Sequence, residues 1–270
     1  MTRQLAAVAL LAAALAALGQ APAPTVSPIM AITKPSHDVT LTFVRAGAIS
    51  EILVKEGDTV ATGQILAKQD DREEQAALTY DRFKSEDRTR IEAQDAILAQ
   101  KRVDLEKMKA TGVATRFEMD NAALEVKIAE ANVKLTTFEH EQDGRKYAQT
   151  KIAVDKLTLR SPVPGLVEQV MMKVGEMVDP QQSKVVRIVQ IDPLWVDVPV
   201  PLTAARTMTT GSPATVQMAD GNRAGKIIHI ANVADAASDT LLVRVEIPNK
   251  QKTPAGERVR VTFDNKTASR

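Results

Sequence analysis

The chain contains no cysteine. That excludes a disulfide framework, a thiolate metal site and a thiol nucleophile. Aromatic residues make up only 3% of the chain, too few for a stacking platform or an aromatic-lined ligand pocket. Neither charge sign dominates: 35 basic residues stand against 34 acidic ones, a net charge of +1, so no nucleic-acid partner is expected. The three histidines, His37, His140 and His229, are far apart in the sequence and are read as ordinary polar positions. No Ser/His/Asp arrangement, HExxH helix or phosphate-binding loop occurs, so no catalytic residue, metal site or cofactor is expected.

Long apolar runs are also missing. The one candidate, Leu5 to Leu18, follows Arg3 and precedes Gly19, with Ala17 two positions before it. It falls short of the ~20 residues that a spanning helix needs. The pattern is that of a signal peptide cut near Gly19, with an uncleaved anchor as the alternative. No cysteine follows it, which excludes a lipoprotein anchor. The mature chain is expected outside the cytoplasm, associated with the cell envelope. Residues 20–35, rich in proline at the start, read as a flexible leader.

What the chain does have is an internal repeat. Residues 47–60 read GAISEILVKEGDTV and residues 165–178 read GLVEQVMMKVGEMV. Without gaps, Gly47 aligns with Gly165, Lys55 with Lys173, Gly57 with Gly175, Asp58 with Glu176 and Val60 with Val178. Apolar positions alternate as in half-buried strands. Gly57 and Gly175 precede an acidic residue where a strand must reverse, and glycine reaches positive φ at little cost. All four glycines are assigned to structural turns. A pair of strands is too small to fold alone, so segments 36–70 and 156–191 are expected to build one shared β-sandwich.

Between the copies, residues 71–153 contain no proline and only two glycines, Gly112 and Gly144. They are rich in helix-forming residues. Phe117, Asn121, Leu124, Ile128, Ala131, Leu135 and Phe138 recur at spacings of four and three, the pattern of a coiled-coil seam. Ile91, Leu98 and Leu105 keep a seven-residue spacing in the first half, with polar Gln94 and Lys101 between them. Ala110 to Ala114 is loop-like, and Thr115 with Glu118 fits a capping box. Asp71 opens the first helix. Residues 71–155 are thus expected to form an antiparallel helical hairpin, each arm roughly 39 residues and ~58 Å long at 1.5 Å per residue. Gly144 is a weak point inside the second arm.

Residues 192–265 carry short strands with regular turns, from Leu194-Trp195-Val196 to Val259-Arg260-Val261, and suggest a small β-barrel. Trp195 is assigned to packing, and the last residues, 266–270, to a polar tail. The whole is an elongated, multidomain α+β chain.

The arrangement resembles the membrane fusion, or periplasmic adaptor, family of HlyD-like and RND-type efflux adaptors. The residues that carry the resemblance are Gly47, Ile49, Ile52, Val54, Gly57-Asp58, Val60, Gly63-Gln64 and Leu66-Ala67 on one side of the insert. On the other they are Leu159 to Pro162, Gly165, Val167, Gly175-Glu176, Val178, Leu194 to Val196 and Pro254 to Gly256. The resemblance implies a lipoyl-like sandwich split by a coiled-coil hairpin and followed by a barrel. It implies a non-enzymatic role linking an inner-membrane transporter, RND with ABC as the alternative, to a TolC-like outer-membrane channel for export of small molecules. It also implies a homo-oligomeric, hexameric ring. Two departures are visible. Many adaptors carry a further membrane-proximal domain after the barrel, for which little chain remains after residue 265. The Arg, Leu, Ser series that adaptors use for tip docking is replaced by Lys101, Leu105 and Gly112, with Thr115 as a stand-in for the serine. These four residues are the candidate channel-docking tip.

Two alternatives are open. Met171-Met172-Lys173-Val174 superficially resembles a biotinylation motif, which would make the chain a biotin or lipoyl carrier, but its position at a strand end instead of the turn between the halves argues against that. Met171, Met172 and Met177 could belong to a metal-efflux adaptor subtype, with core packing the simpler reading.

Overall fold

The computed structural model describes residues 27–263. The expected signal peptide and polar tail lie outside the described residues. The chain divides into two compact units. One comprises residues 27–39, 163–168 and 188–263, and the other residues 40–162 and 169–187.

The first unit is a β-barrel. Strands β1 (Ile29–Leu41), β12 (Arg258–Phe263), β9 (Pro213–Met218), β10 (Gly221–Ile230), β11 (Thr240–Ile247) and β8 (Val186–Pro201) follow one another, and a β1–β8 pairing closes the ring. Alternation along β8 and β11 sends Val196, Val198, Val200, Val243, Val245 and Ile247 inward, each fully buried. Ile227, Val216 and Val261 complete the core. A short helix, Leu202–Ala205, buries Ala205 against it.

Strand β1 corrects the expected flexible leader at its C-terminal end. Ile29 to Ile32 pair with Arg258 to Val261. Thr33, 1% exposed, accepts hydrogen bonds from the backbone N–H groups of Gly256 (3.1 Å) and Glu257 (3.0 Å). Small and polar residues at inward positions, Ala31, Thr33 and Ser36, make this strand hard to read locally. Its partner lies more than 220 positions away.

The second unit contains a four-stranded antiparallel sheet in the order β5 (Thr158–Arg160), β4 (Ile65–Gln69), β2 (Gly47–Ile52), β7 (Met177–Val178). The helical insert leaves from β4 and returns to β5, and its two roots are neighbours: Gln69 N–H donates to the Leu157 carbonyl at 2.9 Å. Three helices form the insert: α1 (Arg72–Glu86), α2 (Thr89–Thr111) and α3 (Arg116–Asp155). The 40 residues of α3 span ~60 Å at 1.5 Å per residue.

The first arm is not one continuous helix. Asp87 takes an extended backbone, φ −75° and ψ 113°. Its carboxylate accepts from the Thr89 N–H (2.9 Å) and hydroxyl (2.6 Å), restarting the chain as α2. Both α1 and α2 pack along α3. The direction is antiparallel, because the ion-pair partners on α3 fall from Asp143 for Lys84 through Glu139 for Arg90 to Glu125 and Glu130 for the neighbours Lys101 and Arg102.

On α2 the seam is the expected one, with Ile91 and Leu98 buried and Leu105 beside them; on α3 it is not. Leu98, Val126 and Ala129 are buried together, with Leu105 and Val133 beside them. The stripe through Phe117, Leu124, Ile128, Leu135 and Phe138 is 50–73% exposed. Both stripes have four-three spacing, but at 100° per residue they lie roughly 160° apart around α3. The smaller side chains of the buried stripe permit closer approach of the helices.

Candidate functional site

The repeated turns lie in the strand segments on either side of the insert. In each copy a six-residue strand, β2 or β6 (Gly165–Val170), leads into a turn and a two-residue strand, β3 (Thr59–Val60) or β7. The burial patterns of β2 and β6 are identical, with Ile49 and Val167 as the matched inward residues. The turns match atom by atom. Lys55 N–H donates to Asp58 Oδ2 at 2.8 Å and Lys173 N–H to Glu176 Oε2 at 3.0 Å. Asp58 N–H returns to the Lys55 carbonyl and Glu176 N–H to that of Lys173. Gly57 and Gly175 have φ of 91° and 90°, the left-handed region that disfavours any side chain.

Gly47 and Gly165 do not sit in turns, contrary to expectation; each opens a strand. The need for glycine there is close approach. A Cβ on Gly165 would lie 2.6 Å from the Val189 carbonyl oxygen. A Cβ on Gly47 would lie 3.0 Å from Gln69 Nε2. Gln69 is 1% exposed and donates to the carbonyls of Arg45 (3.0 Å) and Gly47 (3.2 Å), fixing the root of the insert.

At the far end of the insert, Gly112 closes α2 in the left-handed conformation, φ 64°. Thr115 caps α3. Its N–H and hydroxyl donate to Glu118 Oε2 at 2.7 and 2.8 Å, and Glu118 N–H donates back to Thr115 Oγ1 at 3.3 Å. These bonds, the backbone one first, hold the Glu118 carboxyl below its ordinary range. The turn is therefore a rigid, capped end carrying exposed apolar groups: Val113 is 87% and Phe117 73% exposed.

The four expected tip residues do not converge. Gly112 and Thr115 lie at the turn. Lys101 lies down α2, paired with Glu125 at 2.7 Å, which raises the pKa of its ammonium. Leu105 packs inward against the Leu98–Val126–Ala129 cluster. Val113 and Phe117 are the tip side chains that sequence reading missed. Spacing assigns Phe117 to the inner seam, yet it heads the stripe of α3 that faces away from the Leu98–Val126–Ala129 cluster. The histidines occupy β1, α3 and β10; His37 packs on Trp195 at 5.9 Å. Among the described residues no group of three or more His, Cys, Asp or Glu could hold a metal ion. Among them, too, no helix is long and apolar enough to cross a membrane.

Comparison with known proteins decides the family. Residues 38–192 match the model of the RND MFP barrel-sandwich hybrid domain, and residues 193–267 that of the CusB-like β-barrel domain. The chain belongs to the RND membrane fusion protein family. It is an RND-type membrane fusion adaptor, from a family of non-enzymatic periplasmic adaptors whose members work with RND transporters and outer-membrane channels. Among curated proteins, it is 26% identical over 248 residues to the nickel-cobalt-cadmium resistance protein NccB of Alcaligenes xylosoxydans xylosoxydans, covering 90% of this chain and 58% of that protein. It is 25% identical over 233 residues to the multidrug resistance protein MdtA of Proteus mirabilis (strain HI4320), covering 82% of this chain and 54% of that one. The chain thus spans about half the length of these relatives. Among solved structures, MacA from Actinobacillus actinomycetemcomitans aligns with a TM-score of 0.68 at 14% identity, covering 88% of this adaptor and 78% of MacA. The membrane fusion protein Spr0693 of Streptococcus pneumoniae R6 aligns at 0.62 and 16% identity, covering 90% of this adaptor and 100% of that chain. These two likenesses support the adaptor's fold.

Proposed function

We propose that this adaptor links an inner-membrane RND transporter to a TolC-like outer-membrane channel in a tripartite efflux pump. On this reading the signal peptide delivers it to the periplasm, where copies assemble as a hexameric ring. The β-sandwich formed by the two repeat copies and the barrel engage the transporter. The helical insert acts as a coiled-coil hairpin, a spacer that projects its tip to the channel. No covalent chemistry is involved; the adaptor seals and transmits motion.

The observation that carries this reading is the end of the insert. A protein with no partner there would gain nothing from exposed Val113 and Phe117 on a turn stiffened by a left-handed glycine and a capping box. The docking contact is accordingly assigned to Val113, Phe117, Gly112 and Thr115. Lys101 and Leu105 hold the arms together and serve the tip at a distance.

The relatives differ in what their names say they resist, metal cations in one and multiple drugs in the other, so the exported compound is left as a small molecule. A photo-crosslinking residue at Arg116, exposed beside the tip, should capture the outer-membrane channel from intact cells. Val113→Asp should abolish that capture and the resistance phenotype, with circular dichroism unchanged. Full capture by Val113→Asp would sink the tip assignment. A mass addition on Lys173 in the native protein would replace the adaptor reading with the carrier one.

A further inference from the structure

The weak points of the insert fall at one level. In the first arm the helix breaks at Asp87 and Arg88, between α1 and α2. In α3, Gly144 is the one glycine among 40 residues, and a Cβ there would meet nothing within 4 Å. The ion pair Lys84–Asp143, at 3.2 Å, sets the two at the same height. Asp143 precedes Gly144, and Lys84 lies within one helical turn of Asp87.

The buried core is interrupted over the same stretch. On the tip side it ends at Ile91 and Thr136, and at the root it resumes at Val154. No residue of 72–90 or of 137–153 is buried. What crosses the gap is polar: Lys84–Asp143, Arg90–Glu139 at 3.0 Å, and the Thr150 hydroxyl donating to Asp81 at 2.6 Å. The Lys84 and Arg90 side chains are 50% and 75% exposed, and ion pairs of that kind add little stability. The junction with the sheet, by contrast, is pinned. Gln69 N–H donates to the Leu157 carbonyl at 2.9 Å, and its side-chain amide holds the Arg45 and Gly47 carbonyls.

We propose that the insert carries a hinge at this level, about which its tip-side part, residues 91–136, tilts as one rod. Hinges form where a few element-terminal residues absorb a change in φ and ψ, the role of Asp87 and Arg88 in the first arm. In α3 the glycine supplies the freedom, having no side chain to restrict its backbone or brace it against α1. A stretch with few buried contacts is the least costly place to deform. On the adaptor reading the hinge lets the tip adjust its angle to a partner, but it does not rest on that reading.

Because the chain has no cysteine, spin labels attach only where cysteines are introduced. Ala77→Cys with Lys107→Cys spans the hinge along the first arm, and Lys127→Cys with Ala148→Cys spans it along α3. Each of these positions is exposed. The purified full chain is diluted in unlabelled chain, so that only distances within one copy are read. Double electron–electron resonance should give both spanning pairs distance distributions at least about twofold wider than that of Ala93→Cys with Lys107→Cys, which lies within the tip-side rod. Gly144→Ala should narrow both spanning distributions toward that control, because α3 is the one helix continuous across the level, and should leave the control as it is. Spanning distributions as narrow as the control would overturn the hinge. So would broad ones that Gly144→Ala leaves unchanged. A control pair as broad as the spanning pairs would overturn it too, by showing that the insert bends along its whole length.

Discussion

The barrel and the helical insert solve the problem of stability differently. In the barrel, alternation on six strands drives whole side chains from Leu194 to Phe263 into a closed interior, many of them fully buried. In the insert, α1 buries no residue at all, and α2 and α3 meet over a thin seam of Leu98, Val126 and Ala129. Ion pairs at the surface, such as Arg102–Glu130 at 2.7 Å, carry the register instead. Such pairs contribute little to stability in water. The β regions are thus built to hold shape, whereas the insert leaves its larger apolar side chains outward and available.

The sole tryptophan, Trp195, lies on β8, so its fluorescence follows the barrel while far-UV circular dichroism follows the helices. Two probes that part company would confirm separate stabilities. The largest effect is expected for Ile227→Ala, which should cost about 2–5 kcal/mol by Trp195 fluorescence in urea. Gly165→Ala should cost about 1–3 kcal/mol, since its Cβ would press on the Val189 carbonyl. Gly144→Ala in α3, with nothing within 4 Å of the new Cβ, should instead stabilise the helical transition by up to ~1 kcal/mol. If both glycine variants moved the same way, the contrast between close-packed sheet and open helix would fail.

Leu98→Ala should shift the helical transition by only about 1–2 kcal/mol and leave the Trp195 midpoint in place. A loss as large as that of Ile227→Ala would show the seam to be thicker than described. Thr115→Ala should lower helical stability by ~1 kcal/mol, and the change should be confined to the tip by hydrogen exchange.

Acid should act on the barrel through Asp197. The Arg244 guanidinium, 2.7 Å away, and Lys34 at 3.2 Å hold its carboxyl below the ordinary range. A depressed carboxyl stabilises the fold fully above its unfolded pKa of ~4. That contribution is lost as pH falls through the lower folded value. The Trp195 midpoint should therefore fall on acidification, and Asp197→Asn should flatten that part of the profile. An equal slope in the variant would assign the acid response to other carboxylates.

Much of the architecture follows from local chemistry and was legible without coordinates. Gly57-Asp58 and Gly175-Glu176 bring their own turn conformation and side-chain acceptor. Thr115 and Glu118 bring both halves of a capping box. The break at Asp87 was also written locally, in an Asp with a Thr two residues on, but a run of strong helix formers on either side masked it.

Other features depended on partners distant in sequence. Strand β1 exists because β12 offers it a pairing edge; nothing between Ile29 and Leu41 demands a strand by itself. Phe117 and Leu124 stay outside the seam because α2 meets the opposite face of α3. The repeat, its Gly57 and Gly175 turns, the insert and the Thr115 cap are written in the local sequence, because they rest on backbone conformations that neighbouring residues dictate. Only the tertiary structure decided which of two equally spaced stripes on α3 turns inward and which residues remain at the tip. Burial depends on what lies opposite, and periodicity marks a face without naming its partner.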